Sequence, residues 1–427
     1  MSTPVVDVAI VGAGTAGAAA AALCARRGLS VVCVDRRPLD QAGARWVNDV
    51  PGWTFDDAGI ARPQGAEVVG APGDFHLVAG WGPRRVVVPP VDAVAVDMRA
   101  LVARLQRMAT ADGADLRGGV QVEGVRDGAL VVERGEAIRA RWVIDASGLA
   151  GARLLSRPAA RADLCAAAQE VRRVRDRAAA EAFFRDNGAS PGDTLCFTGI
   201  AGGYSIVNVR LAGDHVSILT GSIPADGHLS GLELLAAFVE AHAWIGDRVY
   251  GGARAIPLGS ANDTLAAGNV ASIGDAALQV FSAHGSGIGA GLIAARMLAD
   301  ALVGNLGVDG YARAWQRRFG GLHAGYDLMR RFTQLQRAGD VDAMIGSGLL
   351  DASSVAAALE QRWPSPSPRE ALHLARAALR APLAALKLAP VALRMPAVAL
   401  HYARYPRDAA ALPRWTKRRD AFMGVRG

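Results

Sequence analysis

The sequence predicts an α/β protein built around a parallel sheet. Near the N-terminus an apolar run, a glycine-rich turn, an alanine-rich stretch and a second apolar run follow one another, which is the order strand, loop, helix, strand. A glycine-rich turn between an apolar run and an apolar helix recurs after residue 270. Strand-like segments lie between these two regions, and helices dominate from residue 311 onward. This order predicts a Rossmann-type domain with an inserted mixed β/α domain and a helical C-terminal tail.

Length and composition indicate a globular chain with more than one packed unit. A chain of 427 residues is too long for one ordinary core, and 51% hydrophobic residues against 20% charged residues exclude a disordered chain. The net charge is +7, but the basic residues are spread along the chain and no stripe of aromatic residues alternates with them. We therefore expect no nucleic-acid partner.

The cysteines and the apolar stretches bear on metal sites and location. The cysteines are widely spaced and include no CxxC pair, so we expect neither a metal site nor a disulfide framework. No basic segment precedes the first apolar run, so we expect no signal peptide and a cytoplasmic location. The uncharged stretches 8–25 and 278–295 approach the length of a membrane span, but their glycines favour a cofactor cleft, so we expect no transmembrane helix.

The first half of the chain alternates short strands with helices. Residues 45–90 are rich in Gly, Pro and Trp, which favours loops and short strands. Asp127-Gly128 is a two-residue turn signal that predicts a hairpin. The remaining predicted elements are strands at 5–11, 29–34, 85–88, 120–125, 129–133 and 142–144, and helices at 18–27 and 98–111.

The second half of the sequence predicts a mixed β/α domain, after which the chain returns to the Rossmann-type domain. Predicted strands lie at 203–211, 215–222 and 270–273, predicted helices at 162–187, 231–244 and 288–303, and a proline-broken helical tail begins near residue 365. We therefore expect a cofactor domain formed by residues 1–158 and 261–305, in which residues 46–91 contribute to the substrate side. The substrate domain is expected at residues 159–260, and the helical C-terminal region at residues 306–427.

The turn Gly12-x-Gly14-x-x-Gly17 predicts a dinucleotide site. The first glycine of such a motif permits a tight turn, the second lets backbone amides approach a pyrophosphate, and the third lets helix and strand pack closely. The phosphates then lie at a helix N-terminus, where the dipole and the free amides favour an anion. Asp35 follows Gly17 by eighteen residues, at the end of the next strand, where a carboxylate can bond the adenosine ribose.

A second motif, Gly274-Asp275-Ala-Ala, follows a strand and is succeeded by His284-Gly-Ser-Gly287-Ile288-Gly and an apolar helix. Here the sequence resembles flavoproteins of the p-hydroxybenzoate hydroxylase fold. The resemblance implies a GR2-like FAD-binding domain in which the Gly-Asp motif bonds the ribityl and ribose region. It also implies that the following helix points its N-terminus at the flavin pyrimidine.

The resemblance extends to other positions between residues 5 and 303. Asp97-Met98-Arg99 is similar to the segment in which an arginine near a helix start reaches the FAD phosphates. Residues 143–148, with Asp145, are similar to a fingerprint of flavin halogenases and geranylgeranyl reductases, and Gly202-Gly-Tyr-Ser205 partly matches the reductases. Arg45 lies ten residues after Asp35, where related enzymes place an arginine close to the cofactor, although a loop salt bridge is the alternative.

The resemblance implies FAD as the cofactor, with NAD(P)H or a partner reductase as the electron donor. His284 is the nearest candidate acid or base by sequence, and the alternatives are a hydrogen bond to the flavin or a purely structural role. The expected cofactor-binding residues are Gly12, Ala13, Gly14, Thr15, Ala16, Gly17, Asp35, Arg36, Arg45, Arg99, Val122, Asp145, Ala146, Gly148, Gly274, Asp275, Gly287 and Ile288.

The sequence is compatible with several classes of reaction. Flavin halogenases need a lysine in the flavin domain and a WxWxIP motif, and this sequence has neither, since its first lysine is Lys387. The first hypothesis is a monooxygenase that hydroxylates or epoxidises an apolar specialised metabolite. Reduction of an alkene, as in geranylgeranyl reductases, is the second, and a non-catalytic FAD-binding protein is the contrasting class.

Aromatic residues bear on the monooxygenase hypothesis but do not decide it. Trp46, Trp53, Phe55, Phe75 and Trp81 could line an aromatic or polyene pocket, or they could form a packed β layer. The sequence Asp-Ala-Ser-Gly at 145–148 differs from the form that single-component hydroxylases use, which argues against direct use of NAD(P)H.

The basic, amphipathic tail over residues 375–405 also has two interpretations. It could touch a membrane surface or an acidic carrier protein, or it could pack across the cofactor domain, and its prolines break long helices. The expected partners are therefore a small apolar substrate and, in addition, a flavin reductase or a carrier protein. At most we expect peripheral membrane contact, and the oligomeric state is not indicated.

Overall fold

The computed structural model describes residues 5–71, 73–133, 137–155 and 158–424. Within these residues two large sheets lie beside each other and helices cover them. The strands are β1 Val6–Val11, β2 Val31–Asp35, β3 Val47–Pro51, β4 Phe75–Ala79, β5 Arg85–Val88, β6 Ala93–Asp97, β7 Asp115–Gly118, β8 Val122–Arg126, β9 Ala129–Val132, β10 Ala137–Asp145, β11 Leu164–Val174, β12 Thr194–Thr198, β13 Ser205–Ala212, β14 His215–Ser222, β15 Ile245–Pro257, β16 Ala266–Ala267 and β17 Val270–Ser272.

The helices divide between the two sheets and the C-terminal region. They are α1 Thr15–Arg26, α2 Gly52–Ala58, α3 Met98–Ala111, α4 Arg177–Asp186, α5 Gly231–Ala241, α6 Ile288–Val303, α7 Gly307–Trp315, α8 Gly321–Gln334, α9 Ala338–Ser347, α10 Ala352–Leu359, α11 Pro368–Arg380, α12 Pro382–Ala403 and α13 Leu412–Met423. A π-helical turn, Gln316–Gly320, joins α7 to α8.

The first sheet has the order β16-β17-β10-β1-β2-β7 in the described part of the chain, and the hairpin β8–β9 extends it through β10. Strands β17, β10, β1, β2 and β7 are parallel, so their carboxyl ends meet at one edge. In open sheets of this kind, ligands bind outside that edge. The loops after β1, β2, β10 and β17 therefore lie together, although they are far apart in sequence.

The alanine-rich helix α1 packs against the first sheet between α3 and α6. Its residues Ala18 to Ala22 have no exposed surface. Because alanine is small, neighbouring backbones approach closely: a Cβ placed on Gly291 of α6 would lie 3.1 Å from the Ala16 Cβ. The tight packing brings the N-termini of α1 and α6 to the same end of the sheet.

The second sheet has the order β15-β11-β14-β13-β12-β4-β5 over the described residues. Its neighbours are antiparallel except for β12 and β4, which run parallel. Strands β4 and β5 come from the segment before residue 91, so the chain contributes to this sheet twice. Helices α4 and α5 cover one face through Phe184, Leu235 and Phe238.

The structure corrects three predictions and confirms the bounds of other elements. Helix α2 lies in a segment expected to hold loops and short strands, and the single helix α12 continues through Pro390 and Pro396, which were expected to break it. The helix predicted over 162–187 is wrong in its first half, since Leu164–Val174 is the strand β11 and the helix α4 covers only Arg177–Asp186. The alanines of this segment favour a helix locally, but pairing on both sides with β14 and β15 outweighs that preference. The predicted bounds of α3, α6, β5 and β14 are confirmed.

The C-terminal helices pack on the edge of the second sheet. Leu328 of α8 and Val391, Val398 and Tyr402 of α12 share a buried cluster with Val88 of β5. Asp263, between β15 and β16, also anchors the tail, because Arg419 contacts its carboxylate at 2.8 Å and the Tyr405 hydroxyl donates to its carbonyl at 2.6 Å. The tail thus packs chiefly on α8 and the second sheet.

Candidate cofactor site

A large cleft lies at the carboxyl edge of the first sheet, facing strand β15 of the second. Its empty volume, which includes space open to solvent, is about 1250 Å³. The predicted cofactor-binding residues that line it are Gly12, Gly14, Thr15, Ala16, Asp35, Arg36, Val122, Ala146, Gly148, Gly274, Asp275, Gly287 and Ile288.

The loop before α1 has the form that a phosphate-binding turn requires. Gly12 has φ +101°, and a Cβ there would lie 2.4 Å from the Ala146 carbonyl oxygen. A Cβ on Gly17 would lie 1.8 Å from the Gly12 carbonyl oxygen. No side chain of the described residues caps α1 at Gly14, so the amides of its first turn are free to bind an anion.

Asp35 fixes the end of β2 to this loop. Its Oδ2 accepts the Ala13 amide at 2.8 Å and its Oδ1 accepts the Arg37 amide at 2.9 Å. A carboxylate has about four lone-pair positions, so both oxygens retain capacity for the hydroxyls of a ribose. The carboxylate is therefore held in place beside the phosphate loop and still offers acceptors to a ligand.

The N-terminus of α6 forms the second part of the cleft. Gly287 precedes the helix without a side-chain cap from the described residues, and a Cβ on it would lie 2.9 Å from the Asp275 Oδ1. A Cβ on Gly274, which has φ +64°, would lie 3.0 Å from the Ala16 Cβ. The two glycine motifs are therefore in contact, and both helix N-termini face one cavity.

Arg254 is a residue of the cleft that the sequence did not indicate. It lies on β15, lines the cleft, and donates from Nη2 to the Gly43 carbonyl. Burial lowers the pKa of Arg254, the carboxylate of Asp275 raises it, and Arg37 and Arg36 lower it further. Burial raises the pKa of Asp275, and Arg254 opposes that rise. Arg36, Arg37 and Arg254 thus all line the cleft, and guanidinium groups suit a pyrophosphate.

Arg254 carries no recognisable motif because its neighbours come from distant parts of the chain. It stands in the run Gly251-Gly252-Ala253-Arg254, where an arginine is indistinguishable from a surface charge. The sequence also missed Arg37, Gln121, Ser147 and Ser286, all of which line the cleft. Of these, Ser147 and Ser286 stand inside predicted motifs and Arg37 stands beside Asp35 and Arg36, so their place in the motifs was the one available signal.

Other predicted residues lie outside the lining of the cleft. Asp145 is buried and accepts hydrogen bonds from the Ser147 amide at 3.1 Å and the Leu154 amide at 2.8 Å, so it shapes the loop after β10. Ala13 and Gly17 support the phosphate loop from behind. The cofactor roles of these residues stay predictions.

The two predicted arginines outside the lining have protein partners. Arg99 pairs with Asp97 at 2.6 Å and stacks on the Tyr250 ring at 3.8 Å. Arg45 donates to the Asp40 carbonyl at 2.8 Å, which is a local backbone contact and differs from the salt bridge that the sequence left as the alternative. The predicted contacts of both arginines with FAD stay predictions.

His284 lies beside the cleft rather than in its lining, although Gly285 lines it. The His284 ring is 5.1 Å from the Phe281 ring, and its Nε2 is buried without a hydrogen-bond partner among the described residues. Burial lowers the pKa of His284 to about 4, so the imidazole is neutral at pH 7. This favours hydrogen bonding over a role as a cationic acid, and a catalytic role stays a prediction.

The aromatic residues predicted to share a pocket are dispersed. Trp46 lines the cleft, but Trp53 donates to the Glu360 carbonyl and Phe55 is in the core of the first sheet. Trp81 packs on Phe197 of the second sheet, with ring centroids 4.8 Å apart. Phe75 packs with the C-terminal helices. The structure therefore does not gather these five side chains into one substrate pocket.

Comparison with known proteins gives a family match and a curated relative. The lycopene cyclase protein family matches residues 7–176, from the second residue of β1 to just past the end of β11. A menaquinone reductase of Mycolicibacterium smegmatis (strain ATCC 700084 / mc(2)155) is 28% identical over 350 residues, which is 77% of this chain and 84% of that protein.

Solved structures resemble the whole chain at low identity. A geranylgeranyl bacteriochlorophyll reductase-like protein from Thermoplasma acidophilum has a TM-score of 0.71 and 16% identity, covering 91% of this chain and 99% of that one. A flavin-dependent brominase has a TM-score of 0.61 and 16% identity, covering 87% and 97%. A flavoprotein/dehydrogenase from Cytophaga hutchinsonii has a TM-score of 0.60 and 15% identity, covering 90% and 99%.

These matches, with the fold and the cleft, define the class of protein. The chain has the fold of the FAD-dependent oxidoreductase superfamily, so the predicted fold class and the recognised superfamily are confirmed. More narrowly, the matches described above include a cyclase family, a reductase, a brominase and a dehydrogenase, and they support an FAD-dependent oxidoreductase.

Proposed function

We propose that this protein is an FAD-dependent reductase that saturates a carbon–carbon double bond in a polyprenyl chain. The observation that carries the proposal is the similarity to a menaquinone reductase, which extends over 84% of that protein. The solved structure with a TM-score of 0.71 is named as a geranylgeranyl bacteriochlorophyll reductase-like protein. Menaquinone and geranylgeranyl groups have a polyprenyl chain in common, and such a chain is the proposed substrate class.

The residues of the cleft fit FAD. Within this proposal the free amides of α1 and the guanidinium groups of Arg36, Arg37 and Arg254 bind the pyrophosphate, and Asp35 binds the adenosine ribose. The N-terminus of α6 offers its amides to the flavin ring. FAD, when bound and reduced, supplies a hydride, and a proton completes the saturation of the double bond.

The protein contributes binding, orientation and exclusion of water. Trp46, Ile256 and Ile288 are apolar residues of the cleft lining, and they offer contacts to an isoprenoid chain. His284 is neutral at pH 7 because burial lowers its pKa to about 4, so it is suited to orient a group by hydrogen bonding. The proton for the second carbon then comes from another donor, such as water that enters from the open side.

Hydroxylation or epoxidation of an apolar specialised metabolite is the second candidate function. It is favoured by the opening of the cleft to solvent, since dissolved oxygen could then reach a bound flavin. Both candidates need reduced FAD, supplied by NAD(P)H or by a partner reductase. They differ in the fate of the electrons, which go to the alkene in the first candidate and to oxygen in the second.

One experiment separates the two candidates. Purified flavin-loaded protein is reduced with dithionite under nitrogen and mixed with menaquinone that carries an unsaturated polyprenyl chain. Because the quinone ring also takes up two hydrogen atoms when it is reduced, the product is returned to air before analysis so that the ring reverts to the quinone. We expect reoxidation of the flavin and a polyprenyl chain heavier by two hydrogen atoms per reduced bond, measured on the chain fragment by mass spectrometry. The same mixture in air gives a product heavier by one oxygen atom if the second candidate is correct. Flavin-loaded protein that yields neither product contradicts both candidates for this substrate class.

A further inference from the structure

The outer side of α11 and α12 carries a row of exposed leucines. Their exposed fractions lie between 51% and 82%, and single leucines on a soluble surface are ordinary whereas a contiguous set is not. We call this surface the leucine face. It consists of Leu372, Leu379, Leu383, Leu386, Leu393 and Leu400.

The opposite side of α12 already has its packing partners. Val391, Val398 and Tyr402 are buried and lie in one cluster with Leu328 of α8. On the outer side, Leu383, Leu386, Leu393 and Leu400 follow at intervals of three and seven residues and so share one stripe. The helix is therefore apolar on both sides, but folding of the chain uses only one of them.

The leucine face is surrounded by positive charge. Residues 371–407 contain no Asp or Glu and carry Arg376, Arg380, Lys387, Arg394, Arg404 and Arg407. Lys387 pairs with Asp340 at 2.8 Å. The five arginines make no ion pair with any residue that the structure describes, so their charges are available to a partner.

We propose that the leucine face binds the surface of an anionic lipid bilayer, with α12 lying in the plane of the interface. Exposed leucines on a helix flanked by unpaired arginines suit a surface that offers hydrocarbon below a layer of negative headgroups. The proposal does not depend on the reaction that the cleft catalyses. It goes beyond that reaction because it assigns the C-terminal helices a partner of their own.

The same helix is unsuited to crossing the bilayer. Among the described residues, α12 is the one helix that is long and apolar enough to span a membrane. The mean hydropathy of its most apolar window is 1.6, and 11% of that window is buried inside the protein. Lys387 and Arg394 lie inside it, and Pro390 and Pro396 interrupt its hydrogen bonding. One side is also bound to α8. A span would have to bring these charges and the helix α8 into hydrocarbon.

Elementary magnitudes predict measurable binding. Transfer of one exposed leucine into an apolar medium strengthens binding by about tenfold or more, and each cation near an anionic surface by about fivefold. Replacing three of the leucines should therefore weaken binding by at least about a hundredfold, even if each inserts only in part.

The test is sedimentation of the full-length, flavin-loaded protein with vesicles. We expect the protein to pellet with vesicles that contain phosphatidylglycerol and not with vesicles of phosphatidylcholine alone, and high salt should weaken the binding. The triple variant Leu383→Gln, Leu386→Gln, Leu393→Gln should stay in the supernatant. A matched control replaces Leu229, Leu232 and Leu306 by Gln, since these leucines are similarly exposed on other parts of the molecule, and it should bind like the unchanged protein.

Three outcomes would overturn the proposal. The first is equal binding by the triple variant and the control, with both variants folded and loaded with flavin. The second is a dimer in solution that the leucine substitutions dissociate, because a second copy would then cover the face. The third is that neither type of vesicle retains the unchanged protein and that an acidic carrier protein binds the arginines, because a carrier protein is a different class of partner from a bilayer.

Discussion

Helices α1 and α12 are both apolar, yet one is buried almost completely and the other is exposed along a whole side. α1 lies between α3, α6 and the first sheet, where alanine lets backbones approach closely. α12 touches the rest of the chain on one side only, and its opposite side carries large leucines. Side-chain size and neighbours, rather than hydropathy, decide which apolar helix completes a core and which is left available for an external partner.

The largest effect is expected from a substitution that disrupts the close approach of α1 to the phosphate loop. Gly17→Ala places a Cβ 1.8 Å from the Gly12 carbonyl oxygen, so the phosphate loop has to move. We expect loss of bound FAD and destabilisation of about 3 kcal/mol or more. Absorbance of bound flavin and denaturant unfolding measure both quantities.

Gly339→Ala is the matched control, because Gly339 is also helical and a Cβ there meets no atom within 4 Å. It should stabilise the protein by about 0.5–1 kcal/mol. Retention of full flavin loading by Gly17→Ala would contradict the assignment of this loop.

A second substitution tests the role of alanine size in α1. Ala20 has no exposed surface, so Ala20→Leu inserts volume into a filled space. We expect destabilisation of about 1–3 kcal/mol, because overpacking shifts the neighbouring backbones. Thermal unfolding of the variant should show a lower midpoint, and an unchanged midpoint would mean that α1 is less tightly packed than the structure shows.

The dependence of stability on acid pH tests the packing around α8. This helix lies between α12 and the loop that precedes α6. Burial lowers the pKa of His284 and of His323 to about 4 in each case. Both are neutral when folded, whereas the unfolded chain binds protons below about pH 6.5, so stability falls as the pH drops from about 6.5 toward 4. The loss should be on the order of 2 kcal/mol for each histidine by about pH 5.

His323→Gln should flatten this pH dependence, measured as the unfolding midpoint at several pH values. The glutamine amide can keep a hydrogen bond to the Val280 carbonyl, which His323 Nδ1 contacts at 3.1 Å. A variant with the same slope as the unchanged protein would exclude His323 as a source of the effect.

A smaller effect is expected for the arginine that the sequence did not indicate. Arg254→Met removes one of three guanidinium groups from the cleft, so FAD should bind about tenfold more weakly. Titration of the flavin-free protein with FAD measures the change. Arg173→Met on β11 is the control, because Arg173 is exposed, and equal affinities of the two variants would remove Arg254 from the site.

The smallest effect is expected on α12. Leu386→Ala should change the free energy of unfolding by no more than about 0.5 kcal/mol, because Leu386 is 71% exposed. Set against Ala20→Leu, this near-zero value would show that the leucine face is not needed for folding. A loss of more than about 1 kcal/mol would instead mean that the leucine contributes to packing, contrary to its exposure.

The sequence predicted best those elements whose local pattern agrees with their environment. The bounds of α3 and α6 could be predicted because their apolar spacing continues from a capping or glycine residue to the end of the helix. The glycine motifs could be predicted because each glycine has a steric reason that survives in any related fold. Strand β11 could not, since its alanines favour a helix and only its partners β14 and β15 make it a strand.

The cleft was predictable in part for the same reason. Gly12, Asp35 and Asp275 belong to local motifs, and the structure brings them to one cavity. Arg254 enters that cavity from the second sheet, and its charge partner Asp275 and its backbone acceptor Gly43 are remote in sequence. The exposure of α12 was likewise beyond prediction, because the sequence shows that the tail is basic and apolar but not which side α8 covers.

The parallel pair β4–β12 has a consequence for synthesis of the chain. Phe75 pairs with Thr194, so 119 residues separate the partners. At 5–20 residues per second, the β4–β5 hairpin leaves the ribosome roughly 6–24 s before β12 exists. During that interval its unpaired edge is open to other nascent chains. Production in a heterologous host should therefore depend on chaperones that shield this hairpin until the ribosome has delivered its partner strand.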